Sequence, residues 1–184
     1  MIMKKVAVFL DGSNCFFTQK QMGWSIDAEK LLEYCKTFGD ITEALYYGGL
    51  SQEPSQQKYL DKLAYIGYSL VTKPIKKIYD HTSEKTVFKA NLDVEIVLDM
   101  FNMIDRYDMA ILISGDGDFE RALQQLKSRG KEVKVISTRG SVANELVRAT
   151  GINYIDFLAI KELIERSDSP CNLKGDASIE NAVA

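Results

Sequence analysis

Asp116 and Asp118, in the stretch SGDGDF (114–119), stand one glycine apart just after the apolar residues Ile111, Leu112 and Ile113. Asp11 occupies the same kind of place: it follows the run KKVAVFL (4–10) and leads into Gly12, Ser13 and Asn14. A third group, Asp93, Glu95 and Asp99, lies within KANLDVEIVLDM (89–100). Carboxylates gathered at one edge repel, by about 4 kcal/mol for two unit charges ~4 Å apart at an effective dielectric of ~20. Either their pKa values rise or they share a cation. No histidine or cysteine accompanies them, and an oxygen-only ligand set points to Mg2+ or Mn2+ rather than zinc. Gly115 and Gly117 would let the backbone turn tightly and come close to a ligand.

Each acid also has an ordinary use. The GDGD stretch reads equally as an acidic turn, and Asp93 as a first-turn charge on the helix dipole. Asp99 falls late in its helix, where a negative charge is disfavoured, so it calls for solvent or a partner such as a backbone N–H or a lysine. His81 is the one histidine in the chain, which removes Ser-His-Asp and HExxH chemistry unless that residue supplies it.

The elements that must position these acids alternate. Strands are expected at 4–10, 41–49, 68–73, 108–114, 132–138 and 152–157, from β-branched and aromatic runs bounded by glycine, proline or acid. Helices are expected after the cap Asp27 (stopping at Gly39), after Pro54 (stopping at Gly67), over about 91–105, over 119–130 and from Ser141. The 91–105 helix is apolar nearly all round and should be largely buried. Residues 74–90 read as a polar, mobile loop. No Asn-Gly hairpin signal separates two strands, which favours crossover connections. The expected fold is therefore α/β: a three-layer α/β/α sandwich on a mainly parallel sheet, with its ligand site beyond the carboxyl ends of the strands.

A chain of 184 residues suits one domain, placed at 1–166, with a weakly held polar tail over 167–184. The 46% hydrophobic and 27% charged fractions are those of a soluble globular protein, and no apolar run reaches a membrane span. Cys15, Cys35 and Cys171 are odd in number without CxxC spacing, so reduced thiols and a cytoplasmic location are expected. The net charge of −3 hides two basic segments, Lys73 to Lys89 and Arg121 to Arg148, either solvated faces or tracks for a phosphate backbone. Tyr46 and Tyr47 read as exposed and, with C-terminal apolar residues, would allow a homodimer.

At FLDGSN (9–14), KANLDVEIVLDM (89–100), SGDGDF (114–119), LKSRGKEVKVIS (126–137) and the S-x-x-x-x-L of Ser141 and Leu146, the sequence resembles the NYN domain family. This family, with its LabA-like branch, is related to the PIN and flap-endonuclease nucleases, and the resemblance covers roughly 4–160. It implies a PIN-like α/β/α fold and metal-dependent ribonuclease chemistry. By motif match Asp11, Asn14, Asp93 and Asp116 would form the metal site, with Asp118 close by and Asp99 at a recurring acidic position. The family usually has a glycine just before its first acidic turn; here the residues are Ala90, Asn91 and Leu92.

The expectation that follows is hydrolysis of single-stranded or structured RNA at a Mg2+ or Mn2+ site built by Asp11, Asp93, Asp116, Asp118 and Asp99. Asn14 would orient a ligand water or the phosphate. Ser13, Ser114, Lys76, Lys77 and Lys89 would contact substrate, and Tyr79 and Phe88 could stack bases. Three other readings compete. A haloacid-dehalogenase-like phosphatase wants a second Asp where Ser13 stands. A regulatory module would bind RNA or metal without turnover. A Rossmann nucleotide-binding protein lacks its GxGxxG here.

Overall fold

The computed structural model describes residues 3–51, 53–80 and 85–167, with the backbone alone over 76–80 and 85–89. His81, Cys171 and the expected tail from 168 on lie outside the described residues, as do the side chains of Lys76, Lys77, Tyr79, Phe88 and Lys89.

Six strands form one parallel sheet: β1 (Lys5–Asp11), β2 (Asp40–Leu50), β3 (Ser69–Pro74), β6 (Met109–Ile113), β7 (Glu132–Ser137) and β8 (Tyr154–Asp156). Between β3 and β6 lie β4 (Lys76–Asp80) and β5 (Lys85–Lys89), an antiparallel pair outside that sheet. The order β3-β2-β1-β6-β7-β8 turns on β1: the chain first steps outward through β2 and β3, then returns to β6 on the other side. The crevice beyond the carboxyl ends of β1 and β6 is thus the topological switch point, where ligands of such sheets bind.

The period-2 alternation of strands builds the layers. From β1, Val6, Val8 and Leu10 enter one core, together with Cys15, Leu31, Leu32, Leu60, Leu63 and Ile164. Those partners come from α1 (Gly12–Met22), α2 (Ala28–Lys36), α3 (Pro54–Ile66) and α7 (Lys161–Ile164). Ala7 and Phe9 enter the other core with Ile96, Met100, Leu123, Leu126 and Leu146, which belong to α4 (Asp93–Asn102), α5 (Glu120–Ser128) and α6 (Asn144–Thr150). Two helical layers on one parallel sheet give the expected three-layer sandwich.

Local signals hold where they rest on caps. Asp27 accepts from the N–H groups of Glu29 (2.9 Å) and Lys30 (3.3 Å) to start α2. Pro54 opens α3, and Gly67, at φ 116°, ends it in the left-handed region.

Four expectations are corrected. Residues 74–90 contain a hairpin, Lys76 pairing with Lys89 and Asp80 with Lys85, rather than an irregular loop. The helix expected over 91–105 stops at Asn102, with a short 3-10 turn at Ile104–Arg106. It is buried on one face only, Val94 being 64% and Leu98 54% exposed. Tyr46 and Tyr47 are 8% and 1% exposed, because β2 is an inner strand and sends consecutive side chains into opposite cores. Finally, α1 has no counterpart among the expected elements.

Among the described residues no helix is long and apolar enough to cross a membrane. The thiols of Cys15 and Cys35 are free and buried.

Candidate metal centre

The first turn of α1 is built on the first acid. Asp11 closes β1, and its Oδ1 accepts from the N–H of Asn14 (3.0 Å), capping the helix. Its Oδ2 accepts from the Ser114 hydroxyl (2.9 Å), and Ser114 Oγ in turn accepts from the Asp116 N–H (3.2 Å). The loop after β6 is therefore tied to the end of β1 through one serine, itself only 2% exposed. Asn14 adds a second tie, its Oδ1 accepting from the Gly115 N–H at 2.9 Å. Asp116 caps the next turn by accepting from the Asp118 N–H at 2.9 Å.

The third acid arrives from the opposite layer. Asn91 Oδ1 accepts from the Asp93 N–H (2.9 Å) at the start of α4. Lys73, from β3, holds that entry: its ammonium pairs with Glu95 at 2.5 Å and donates to the Asn91 carbonyl at 3.2 Å. Asp93, Asp116 and Asp118 can each turn one carboxylate oxygen so that all lie within 4.8 Å of one another. Two of these acids, Asp93 and Asp116, border a cavity of about 240 Å3 that Asp11, Ser13, Asn14, Phe17 and Asn91 also line.

The electrostatics agree with crowding. Asp11 is raised from 3.8 to about 6, chiefly by burial and further by Asp93 and Asp116, against the pull of the Asn14 N–H and the Ser114 hydroxyl. Asp93 is also raised, first by burial and then by Asp116, Asp118 and Glu95, with Asn91 opposing. Three oxygen donors without nitrogen or sulfur suit a hard divalent cation, so the chemistry of the donor set fits such an ion.

The expected site residues divide. Asp11, Asn14, Asp93, Asp116 and Ser13 border the same cavity, and Asp118 joins the acidic triad from its exposed edge. Asp99 stands apart: its carboxylate accepts from the Tyr47 hydroxyl at 3.0 Å, and it borders no part of the cavity. Of the basic stretch after 120, Lys127 and Lys131 donate to backbone carbonyls, Lys134 to Asn153, and Arg139 pairs with Asp156. Those cations hold loops to the fold.

Gly115 and Gly117 also differ in reason, since neither has a positive φ. A Cβ on Gly115 would stand 2.6 Å from the Ser141 carbonyl oxygen, and one on Gly117 3.0 Å from the Ala143 Cβ. Packing against the 141–143 segment requires the glycines. Pattern reading passes over Asn91 and Phe17, which carry no signal beyond standing near an acid in sequence.

The model of the NYN domain, a nuclease-type family, matches residues 5–161, and the chain belongs to that family. It is 40% identical over 169 residues to the "Low amplitude and bright protein LabA" of Synechococcus elongatus, covering 90% of each chain. An uncharacterized protein of Methanocaldococcus jannaschii is 26% identical over 144 residues, covering 77% of this chain and 51% of its own. A crystal structure of a protein of unknown function from Vibrio parahaemolyticus shares the fold with a TM-score of 0.76 at 22% identity. That match covers 89% of this chain and 97% of the other.

Proposed function

We propose that this protein is a metal-dependent ribonuclease that hydrolyses RNA phosphodiester bonds at a Mg2+ or Mn2+ site. The observation that carries the reading is the acidic triad, with donor oxygens within 4.8 Å of one another at the switch point of an NYN fold. Asp93, Asp116 and Asp118 would hold the ion. When bound, the ion supplies Lewis-acid polarisation of the phosphate and lowers the pKa of water.

The chain's own residues do the rest. Asp11 is the buried hub, its two oxygens engaged by Asn14 and Ser114, so it fixes the α1 turn and the β6 loop at one spacing. With its pKa near 6, Asp11 holds a proton in mildly acidic solution and releases it in neutral solution, so the negative charge of the site rises over that range. Asn14 borders the cavity while its carbonyl oxygen is pinned to Gly115, which holds its amide in place toward the phosphate position. Asn91 and Lys73 set the entry angle of α4 and so the position of Asp93.

The test is cleavage of a labelled single-stranded RNA with Mn2+ or Mg2+, run against EDTA and against Asp116→Asn. The expected result is metal-dependent cleavage reduced on the order of 100-fold or more in the variant. RNA that is bound by both proteins and cut by neither would replace this reading with a regulatory binding module.

A further inference from the structure

A second cavity lies on the other side of α1. Its volume is about 250 Å3, and its wall runs from Leu10 and Gly12 through α1 to β2 and the start of α3. Ser13 borders both cavities, so the two are separated by a single turn of backbone. Successive residues of α1 serve different sides: Phe16 lines the second cavity and Phe17 the acidic one.

The second cavity is chemically unlike the first. Among the described residues no carboxylate lines it, and the single charged one is Arg166. Three aromatic rings do: Phe16, Tyr46 and Tyr59, the two tyrosines edge-to-face with centroids 6.0 Å apart. Two amides are fixed beside them. Gln56 accepts from the Ser51 N–H and donates to the Gly49 carbonyl at 2.7 Å, and Gln19 accepts from the Ile26 N–H at 2.7 Å. Gly48 and Gly49 add bare backbone to the wall. Gly48 cannot be larger, because a Cβ there would stand 2.7 Å from the Tyr46 ring.

This composition selects a ligand. A lipid chain would set the Arg166 charge against carbon, and a phosphate would meet, among the described residues, one cation rather than a cluster. A flat, uncharged ring with acceptors on its edge suits the aromatic lining and the Arg166 donors, as unstacked bases do in single-strand recognition.

We propose that this cavity is a nucleobase subsite, seating one base of an RNA strand whose neighbouring phosphate lies at the acidic cluster across Ser13. The proposal rests on the ribonuclease reading for its choice of strand but not for the existence of the site.

The test uses the full chain in EDTA, titrated with adenosine, guanosine, cytidine and uridine and followed by backbone amide NMR. At least one nucleoside is expected to shift the amides of Gly48, Gly49 and Tyr59. Ser55→Trp, which fills the cavity from the first turn of α3, and Phe16→Ala are each expected to weaken that binding about tenfold or more. In the cleavage assay, the same variants should raise KM for single-stranded RNA by a similar factor, with kcat within about twofold. Single-stranded RNA should displace the nucleoside.

Shifts that are absent, confined to Asn91, Asp93 and Asp116, or unchanged by both variants would overturn the subsite. A nucleoside that binds there but is not displaced by RNA would also overturn it and mark a site for a free small ligand. Base binding without any cleavage sinks the ribonuclease reading alone. Metal-dependent cleavage without base binding sinks the subsite alone.

Discussion

Two cavities of nearly equal size flank the first turn of α1, about 240 Å3 on the α4 side and about 250 Å3 on the α3 side. One collects Asp11, Asp93 and Asp116; the other collects Phe16, Tyr46 and Tyr59 and, among the described residues, no acid. Both open at the carboxyl edge of the same sheet, so the fold alone does not decide their chemistry. What differs is how each polar group is satisfied. In the aromatic cavity the amides of Gln19 and Gln56 are bonded to backbone and stand neutral. In the acidic cavity charges face one another, and the burial of Asp11 and Asp93 raises both pKa values. A metal-free protein therefore carries strain of an electrostatic kind on one side of α1 and none on the other.

The largest effect that would break this contrast concerns Asp11. The folded protein holds the Asp11 proton more tightly than the unfolded chain, about 6 against 3.8, so its contribution favours folding most at low pH. That stability is lost as pH rises from about 4 through 6, amounting to ~3 kcal/mol above neutrality. Asp93 shifts in the same direction and adds to the trend. In EDTA, Asp11→Asn should therefore gain ~3 kcal/mol relative to the wild type between about pH 4 and pH 7.5, offset at every pH by the Ser114 hydrogen bond that an amide nitrogen cannot accept. Thermal unfolding across that range checks it. A difference that does not change with pH would mean that the Asp11 charge is not buried in solution as it is here.

A smaller effect sharpens the boundary of the site. Asp99 lies on the same helix as Asp93 but is bonded to Tyr47 rather than turned to the cavity. Asp99→Leu should lower stability by ~1–3 kcal/mol, the range for leaving the buried Tyr47 hydroxyl without its acceptor. Mn2+ affinity should stay within about twofold, since Asp99 bonds Tyr47 and so orients none of the three acids. Calorimetric titration with Mn2+ separates these outcomes, and a large loss of affinity would return Asp99 to the metal set.

Asp99 and Asp11 also show how far the chain could be read as a string. Asp11 was legible because the end of an apolar strand is a place where pattern and chemistry coincide: the strand fixes where the carboxylate stands. Asp99 was ambiguous because its position on a helix fixes only its height, and Tyr47, its partner, comes from 52 residues earlier in the chain. The same limit hid the part Ser114 plays between Asp11 and Asp116, which depends on β1 pairing with β6, across 103 residues.

Other losses are local. The α1 sequence GSNCFFTQKQM buries only Gly12, Cys15 and Thr18, so it carries no apolar stripe to announce a helix. Tyr46 and Tyr47 were misplaced because adjacent large side chains look exposed until their strand is known to lie between two others. The pairing of β4 with β5 carried no signal either, since no glycine or proline stands between Lys76 and Lys89 to announce a hairpin. The alternation of strands and helices, the layers and the acid-bearing edge were readable; the strand order and the ties across it were not.

The account stands most directly on where a divalent ion sits. Crystals grown or soaked with Mn2+ should give an anomalous difference peak among Asp93, Asp116 and Asp118, and Asp116→Asn should abolish it. A peak on Asp99, or none at any concentration that supports cleavage, would contradict the metal centre described here.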